Sequence, residues 1–107
     1  MTSRQMYDFA TAQVEWYEKQ IQFCKEQIEF CNKQLKLTRK EDKEIKAYAL
    51  ANDSHPLTQK IFGGNYIGTE TRKYMNERAR WYRDVKRYEK YVTHYRKEAK
   101  EMEKYIG

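Results

Sequence analysis

Residues 7–41 read, in blocks of seven, YDFATAQ (7–13), VEWYEKQ (14–20), IQFCKEQ (21–27), IEFCNKQ (28–34) and LKLTRKE (35–41). With Tyr7 as position a of a heptad abcdefg, the a column is Tyr7, Val14, Ile21, Ile28 and Leu35. The d column is Ala10, Tyr17, Cys24, Cys31 and Thr38. Apolar residues recurring at a and d form the seam of a coiled coil, because the spacing keeps them on one side of a helix. Asp42 falls at a and interrupts the seam, which resumes with Ile45 at d and Ala49 at a. A helix is predicted over residues 3–51. Thr2 and Gln5 supply a capping box at its start, and Asn52-Asp53-Ser54-His55-Pro56 stops it, since proline disfavours helix in the residue before it.

A third column stands at c: Phe9, Trp16, Phe23, Phe30 and Leu37. At 100° per residue, positions c, g, d and a spread over a sector of about 160°. A single partner helix does not cover so wide a face. The c column is therefore a candidate interface with a target or with a second copy of the chain. Between c and d lie Gln13, Gln20, Gln27 and Gln34, which read either as good helix formers over apolar neighbours or as a half-buried amide ladder that fixes a partner's register.

A second long helix is predicted over residues 69–106, with Thr69 as its cap. Its seam is Tyr74, Arg78, Trp81, Val85, Tyr88, Val92, Tyr95, Ala99, Met102 and Ile106, spaced by threes and fours. The fold class is all-α: an antiparallel, coiled-coil-like helical hairpin in one domain, 1–107, with two hairpins pairing into a four-helix bundle as one way to cover the c column. The connector, residues 52–68, is long for a helix–helix loop. Ile61 and Phe62 stand across Gly63-Gly64-Asn65 from Tyr66 and Ile67. This pattern predicts a small β-hairpin, with Ser54 able to start a single helical turn before it, the connector serving as a hydrophobic plug over the helix ends or as a partner-binding tip.

Charge separates the two helices. The chain carries 22 Lys and Arg against 16 Asp and Glu, a net +6. Residues 69–106 hold 12 of those cations and 7 of the acids, whereas residues 3–51 hold 9 and 8. With Val85 as a, the c column of the second helix is Lys73, Arg80, Arg87 and His94. Its f column is Arg83, Lys90, Lys97 and Lys104. Like charges four residues apart repel, and a polyanion relieves that repulsion. Lys73, Arg80, Arg83, Arg87, Lys90, Lys97 and Lys104 are therefore candidate polyanion contacts, against the plain alternative of a solvated basic face. No helix-turn-helix, zinc-ligand or RNA-recognition signature accompanies them. Nucleic-acid contact through this helix would be phosphate-directed and salt-sensitive.

Composition sets the class. With 36% charged residues, one Pro and four Gly, and a mean hydropathy of −1.17, the chain is rich in helix formers. Its 15% aromatic residues, ten of them Tyr, exceed what disordered segments carry. No apolar run approaches a membrane span and the amino terminus lacks a secretory signal, so a cytoplasmic protein without membrane contact is expected. Cys24 and Cys31 lie about 10 Å apart on a helix, too far for a disulfide, and read as small core residues. The histidines, His55 and His94, have no metal-ligand spacing. Asp53 with His55 is explained by turn chemistry, and no catalytic constellation, metal site or cofactor site is identified.

A short basic helical hairpin of this kind, with Lys60-Ile61-Phe62-Gly63-Gly64-Asn65-Tyr66-Ile67-Gly68 in its connector, resembles the small accessory proteins with which phages and mobile elements block host nucleases: anti-CRISPR proteins and Gam-like inhibitors built on paired long helices. The resemblance implies a non-catalytic inhibitor or adaptor that docks on a nucleic-acid-handling complex such as a phage-targeting nuclease, in the host cytoplasm. Many such inhibitors mimic DNA with an acidic surface. This chain is basic, so contact with a guide RNA, with nucleic acid in a complex, or with an acidic patch on the effector fits better. The alternatives are a phosphate-directed, nonspecific DNA- or RNA-binding protein and a purely structural homodimer.

Overall fold

A computed structural model describes residues 1–106. Three helices account for its regular structure: α1 over Ser3–Asn52, α2 over Pro56–Phe62 and α3 over Thr69–Glu103. The two long helices pack against each other as a hairpin, and no strand forms among the described residues. The first turn of α1 is held as the capping box requires. The Thr2 hydroxyl accepts from the Gln5 N–H at 3.1 Å, and the Gln5 side-chain oxygen accepts from the Thr2 N–H at 2.9 Å. At the far end α3 stops at Glu103, three residues before the predicted boundary. The N–H groups of Lys104, Tyr105 and Ile106 bond three residues back rather than four, a tightening typical of a final turn.

The chain forms two compact units, Met1–Ile28 with Arg80–Gly107 and Glu29–Ala79. In the first, Cys24, Ile28 and Val85 are buried together, with Ile21, Trp81 and Tyr88 packed on them, and Ala10 and Val92 are buried as well. Burying a side chain such as Ile28 stabilises by about 1.5–3 kcal/mol. Tyr17 lies among Tyr88, Tyr91 and Tyr95 at centroid distances of 5.7, 5.0 and 6.0 Å. Arg96 of α3 donates to the Glu18 carboxylate of α1. Contacts fall in α3 numbering as they rise in α1 numbering, from Phe9 with Tyr95 to Phe23 with Trp81, so the helices run antiparallel.

In the second unit Cys31, Leu35 and Thr38 of α1 and Thr71 of α3 are buried. The two charged residues of the seam are each matched from the other helix. Arg78 donates to the Asn32 amide oxygen at 2.9 Å. The Asp42 carboxylate accepts from the Gly68 N–H at 3.0 Å and from the Thr71 hydroxyl at 2.6 Å, both through Oδ2. Gly68, whose carbonyl accepts from the Arg72 N–H, is therefore the cap of α3, in place of Thr69. Asp42 supplies the negative group that a helix N-terminus favours. A Cβ at Gly68 would collide with that carboxylate, so any larger residue there must displace the Asp42 side chain from its hydrogen bonds.

The connector departs from expectation. Instead of a β-hairpin, Pro56–Phe62 form α2. Pro56 sits in its first turn, where a missing N–H costs nothing. His55 caps it, with Nδ1 accepting from the Leu57 N–H at 3.0 Å. Asp53 braces the cap through both oxygens, accepting from the His55 N–H at 2.9 Å and the Thr58 hydroxyl at 2.7 Å. Those bonds, the one from His55 foremost, hold the Asp53 carboxyl below the usual carboxylate range.

Candidate functional site

In the first unit, position c of α1 lies 100° around the helix from position d, outside the contact that α3 makes with the seam. Phe9, Trp16 and Phe23 consequently stand between 47% and 52% exposed. Their inner edges meet aromatic rings. Phe9 packs edge-on against Tyr95 at 6.0 Å, Trp16 against Tyr17 at 5.0 Å, and Phe23 against Trp81 at 5.7 Å. Edge-to-face packing of this kind adds to area burial. The outer half of each c-column ring faces solvent.

On α3 the rings that support this ledge are Trp81, Tyr88 and Tyr95, all at position d. Each is preceded in sequence by a residue that lies over it. The Arg80 guanidinium is 5.6 Å from the Trp81 ring centre, and that of Arg87 is 5.2 Å from Tyr88. The His94 imidazole meets Tyr95 edge-on at 5.0 Å. A guanidinium stacked on a ring keeps its outward N–H donors free. Arg87 also approaches the half-buried Asp84 at 3.4 Å, and His94 approaches Glu98 at 3.1 Å in an exposed pair of small energetic weight. Two heptads apart on α1, Phe9 and Phe23 thus each have an α3 ring against them, Tyr95 and Trp81, with His94 and Arg80 alongside. Between them Trp16 rests on Tyr17 of α1, which in turn lies on Tyr88 beside Arg87.

The second unit carries the same arrangement once. Phe30, half-exposed, packs edge-on against Tyr74 at 6.3 Å, and the Lys73 ammonium lies 5.5 Å from the Tyr74 ring centre. Leu37 is 57% exposed. In the connector, Phe62 and Tyr66 are half-buried and pack on each other at 4.8 Å, while Ile61 and Ile67 face solvent. The four predicted tip residues therefore divide into an internal pair and an exposed pair.

The predicted polyanion set divides as well. Lys73, Arg80 and Arg87 lie beside the aromatic ledge of their own units, whereas Arg83, Lys90, Lys97 and Lys104 are exposed on the f column. The heptad pattern places Trp81, Tyr88 and Tyr95 in the seam and says nothing of their support for the ledge. A signal for their second role stands in the sequence as a heptad-spaced dipeptide: Lys73-Tyr74, Arg80-Trp81, Arg87-Tyr88 and His94-Tyr95.

Other reactive groups are occupied by structure. Burial raises the Cys24 and Cys31 thiols above their ordinary value, with Asp84 adding to the effect at Cys24 and Glu77 at Cys31. Both are free thiols inside the core. His55 and Asp53 serve the α2 cap. Among the described residues no group of three His, Cys, Asp or Glu is placed to hold a metal ion, and no helix is long and apolar enough to cross a membrane. No protein-family model, no curated protein and no solved structure matches this chain.

Proposed function

We propose that this protein is a non-catalytic binding protein that docks, in the cytoplasm, on a nucleic-acid-handling complex, through the face of the first unit that presents Phe9, Trp16 and Phe23 beside Arg80, Arg87 and His94. The observation that carries this reading is a row of α1 rings half open to solvent along α3 rings that each carry a basic neighbour, directly at Phe9 and Phe23 and through Tyr17 at Trp16. Single-stranded nucleic acid asks for that combination: bases stack on aromatic rings and phosphates pair with cations, without base-specific hydrogen bonds. The exposed Arg83, Lys90, Lys97 and Lys104 add a long-range attraction to the same polyanion. A nuclease that acts on invading DNA is the class of complex suggested by the architectural resemblance, with inhibition or adaptation as the outcome of docking.

The test is a titration of fluorescently labelled single-stranded RNA and DNA, and of duplexes of the same length, at rising salt. Single strands should bind more tightly than duplexes, and log affinity should fall linearly with log salt concentration. Absence of binding at about 50 mM salt, or an affinity indifferent to salt, removes nucleic acid as the docking ligand.

A second reading is favoured by the same half-exposed rings. Apolar residues at one heptad position are also what a second copy of the chain would cover, giving a homodimeric bundle. Light scattering on the purified protein separates the two. A strict monomer at micromolar concentration rejects the dimer, and a dimer insensitive to added nucleic acid favours it.

A further inference from the structure

We propose that the second unit holds a binding site for a nucleoside phosphate, in the cleft between α1 and the connector lined by Arg39, Lys43, Lys46, Tyr66, Ile67 and Met75. Its volume is about 350 Å³, within the range of small-molecule sites and larger than a bare phosphate requires. Arg39, Lys43 and Lys46 lie four and three residues apart on α1 and therefore share one face. Among the described residues none of the three enters an ion pair. Within the cleft only the Asp42 carboxylate offsets their three charges, which leaves an excess of positive charge that an anion of two charges balances. Arg39 offers a planar fork suited to phosphate.

The connector builds the opposite wall and fixes it. The Lys46 ammonium donates to the Gly64 carbonyl at 2.6 Å, which leaves two of its donors free. That carbonyl also accepts from the Tyr66 N–H at 3.0 Å, folding the chain sharply so that Asn65, Tyr66 and Ile67 border the cleft. Tyr66 is held by Phe62, and Gly68 is held by Asp42. Asp42 is the one acid in the lining, and its Oδ2 is engaged by Gly68 and Thr71. What remains is a cationic side formed by α1 and an apolar, aromatic side formed by Tyr66, Ile67 and Met75. A phosphate meets the first and a nucleobase the second, so the two halves of the ligand correspond to the two halves of the cleft.

The experiment is an NMR titration of the ¹⁵N-labelled chain with ADP, adenosine and inorganic phosphate. ADP should bind with a Kd below about 1 mM, shifting amides of residues 39–46, 64–68 and 71–75. Adenosine and phosphate should each bind at least tenfold more weakly. Lys43→Glu, an exposed substitution, should retain the wild-type helical spectrum and lose at least tenfold in ADP affinity, and Ile67→Ser should narrow the gap between ADP and phosphate. No binding below 1 mM, shifts spread along residues 83–104, or an unaltered Kd in Lys43→Glu overturns the site. Phosphate equal to ADP overturns its nucleoside half. ADP binding is scored whether or not the chain binds nucleic acid strands, so this inference and the proposed function fail separately.

Discussion

Replacing Asp42 with Ala should be among the most damaging single changes to the second unit, and its cost can be worked from two hydrogen bonds and one charge at a helix end. The carboxylate accepts from the Gly68 N–H and from the hydroxyl of Thr71, a residue only 2% exposed. A hydrogen bond to a charged group contributes about 1.5–3 kcal/mol, and a buried hydroxyl stripped of its partner carries a further penalty of about 1–3 kcal/mol. The negative charge at the start of α3 adds about 0.3–1 kcal/mol. Asp42 is half-buried and Gly68 buried, and the penalty on the stripped donors overlaps the lost bonds, so the two bonds at their low end set the scale. The expected loss for Asp42→Ala is about 3 kcal/mol. Asp42→Asn should cost about 1 kcal/mol, because one amide oxygen in the place of Oδ2 keeps both donors satisfied and only the charge is lost.

Urea unfolding followed by circular dichroism measures both changes. With a slope of about 1.5 kcal/mol/M, the midpoint of Asp42→Ala falls by about 2 M. Thr71→Val isolates the interaction, since it keeps the shape and deletes the hydroxyl. The double variant should be more stable than the sum of the two losses predicts by about 1 kcal/mol or more. Strict additivity, or an Asp42→Ala variant within about 0.5 kcal/mol of the wild type, would refute the view that this carboxylate caps α3.

Gly68→Ala should destabilise by about 1–2 kcal/mol in the wild-type background, where the new methyl meets the Asp42 carboxylate, and by less than about 1 kcal/mol when Asp42 is already Ala; equal costs in urea titrations would argue against the collision. Burial lifts the Cys24 and Cys31 thiols in the folded chain above about 8.5, so the unfolded chain surrenders its thiol protons first. Their stabilisation is complete below about pH 8.5 and drains away as pH rises through the folded values. The decline in urea midpoint above that pH should therefore be shallower in a Cys24→Ala, Cys31→Ala variant, and an unchanged decline would count against the desolvated thiols. Phe23→Ser should cost about 1 kcal/mol of stability, the share of a half-buried ring, yet weaken single-strand binding by about 1–3 kcal/mol in anisotropy titrations. The Arg80→Ala, Arg87→Ala pair should reduce the slope of log affinity against log salt by about 1.4, at roughly 0.7 per phosphate contact on single strands; an identical slope would place the phosphates elsewhere.

What could be read from the sequence was what local chemistry decides. The capping box of Thr2 and Gln5 spans four residues, and the a and d columns up to Thr38 repeat at short range, so both stand in the structure as expected. The resumption of the seam at Ile45 does not, since that side chain is 46% exposed. The roles of Asp42 and Arg78 were not legible. Both looked like faults in a seam, because their partners, Gly68 with Thr71 and Asn32, lie 26 to 46 positions away. In the connector two local signals competed. Large apolar residues around Gly63-Gly64-Asn65 suggested strands, while Pro56 behind a capping His55 favoured a helix. The helix prevailed because its cap satisfies backbone donors within seven residues of chain, whereas an isolated two-stranded hairpin is marginally stable in water.

The aromatic ledge was half visible. The c column announced itself, but its meaning depends on what α3 sets beside it, and the antiparallel register of the first unit sets Tyr95 at Phe9 and Trp81 at Phe23. Because position c is rotated 100° from d, α3 can cover only the inner edge of each c-column ring. Raising the affinity of the two helices for each other would not bury the outer edge, which the geometry of a two-helix pair leaves open. A ligand for this face must therefore approach across α1 onto the flank of α3, where the first groups it meets besides the rings are Arg80, Arg87 and His94. An apolar surface laid here would desolvate Arg80, and would cover Arg87 and His94 with only Asp84 and Glu98 beside them, at a cost that a phosphate backbone does not incur. That asymmetry favours a polyanion over an apolar partner.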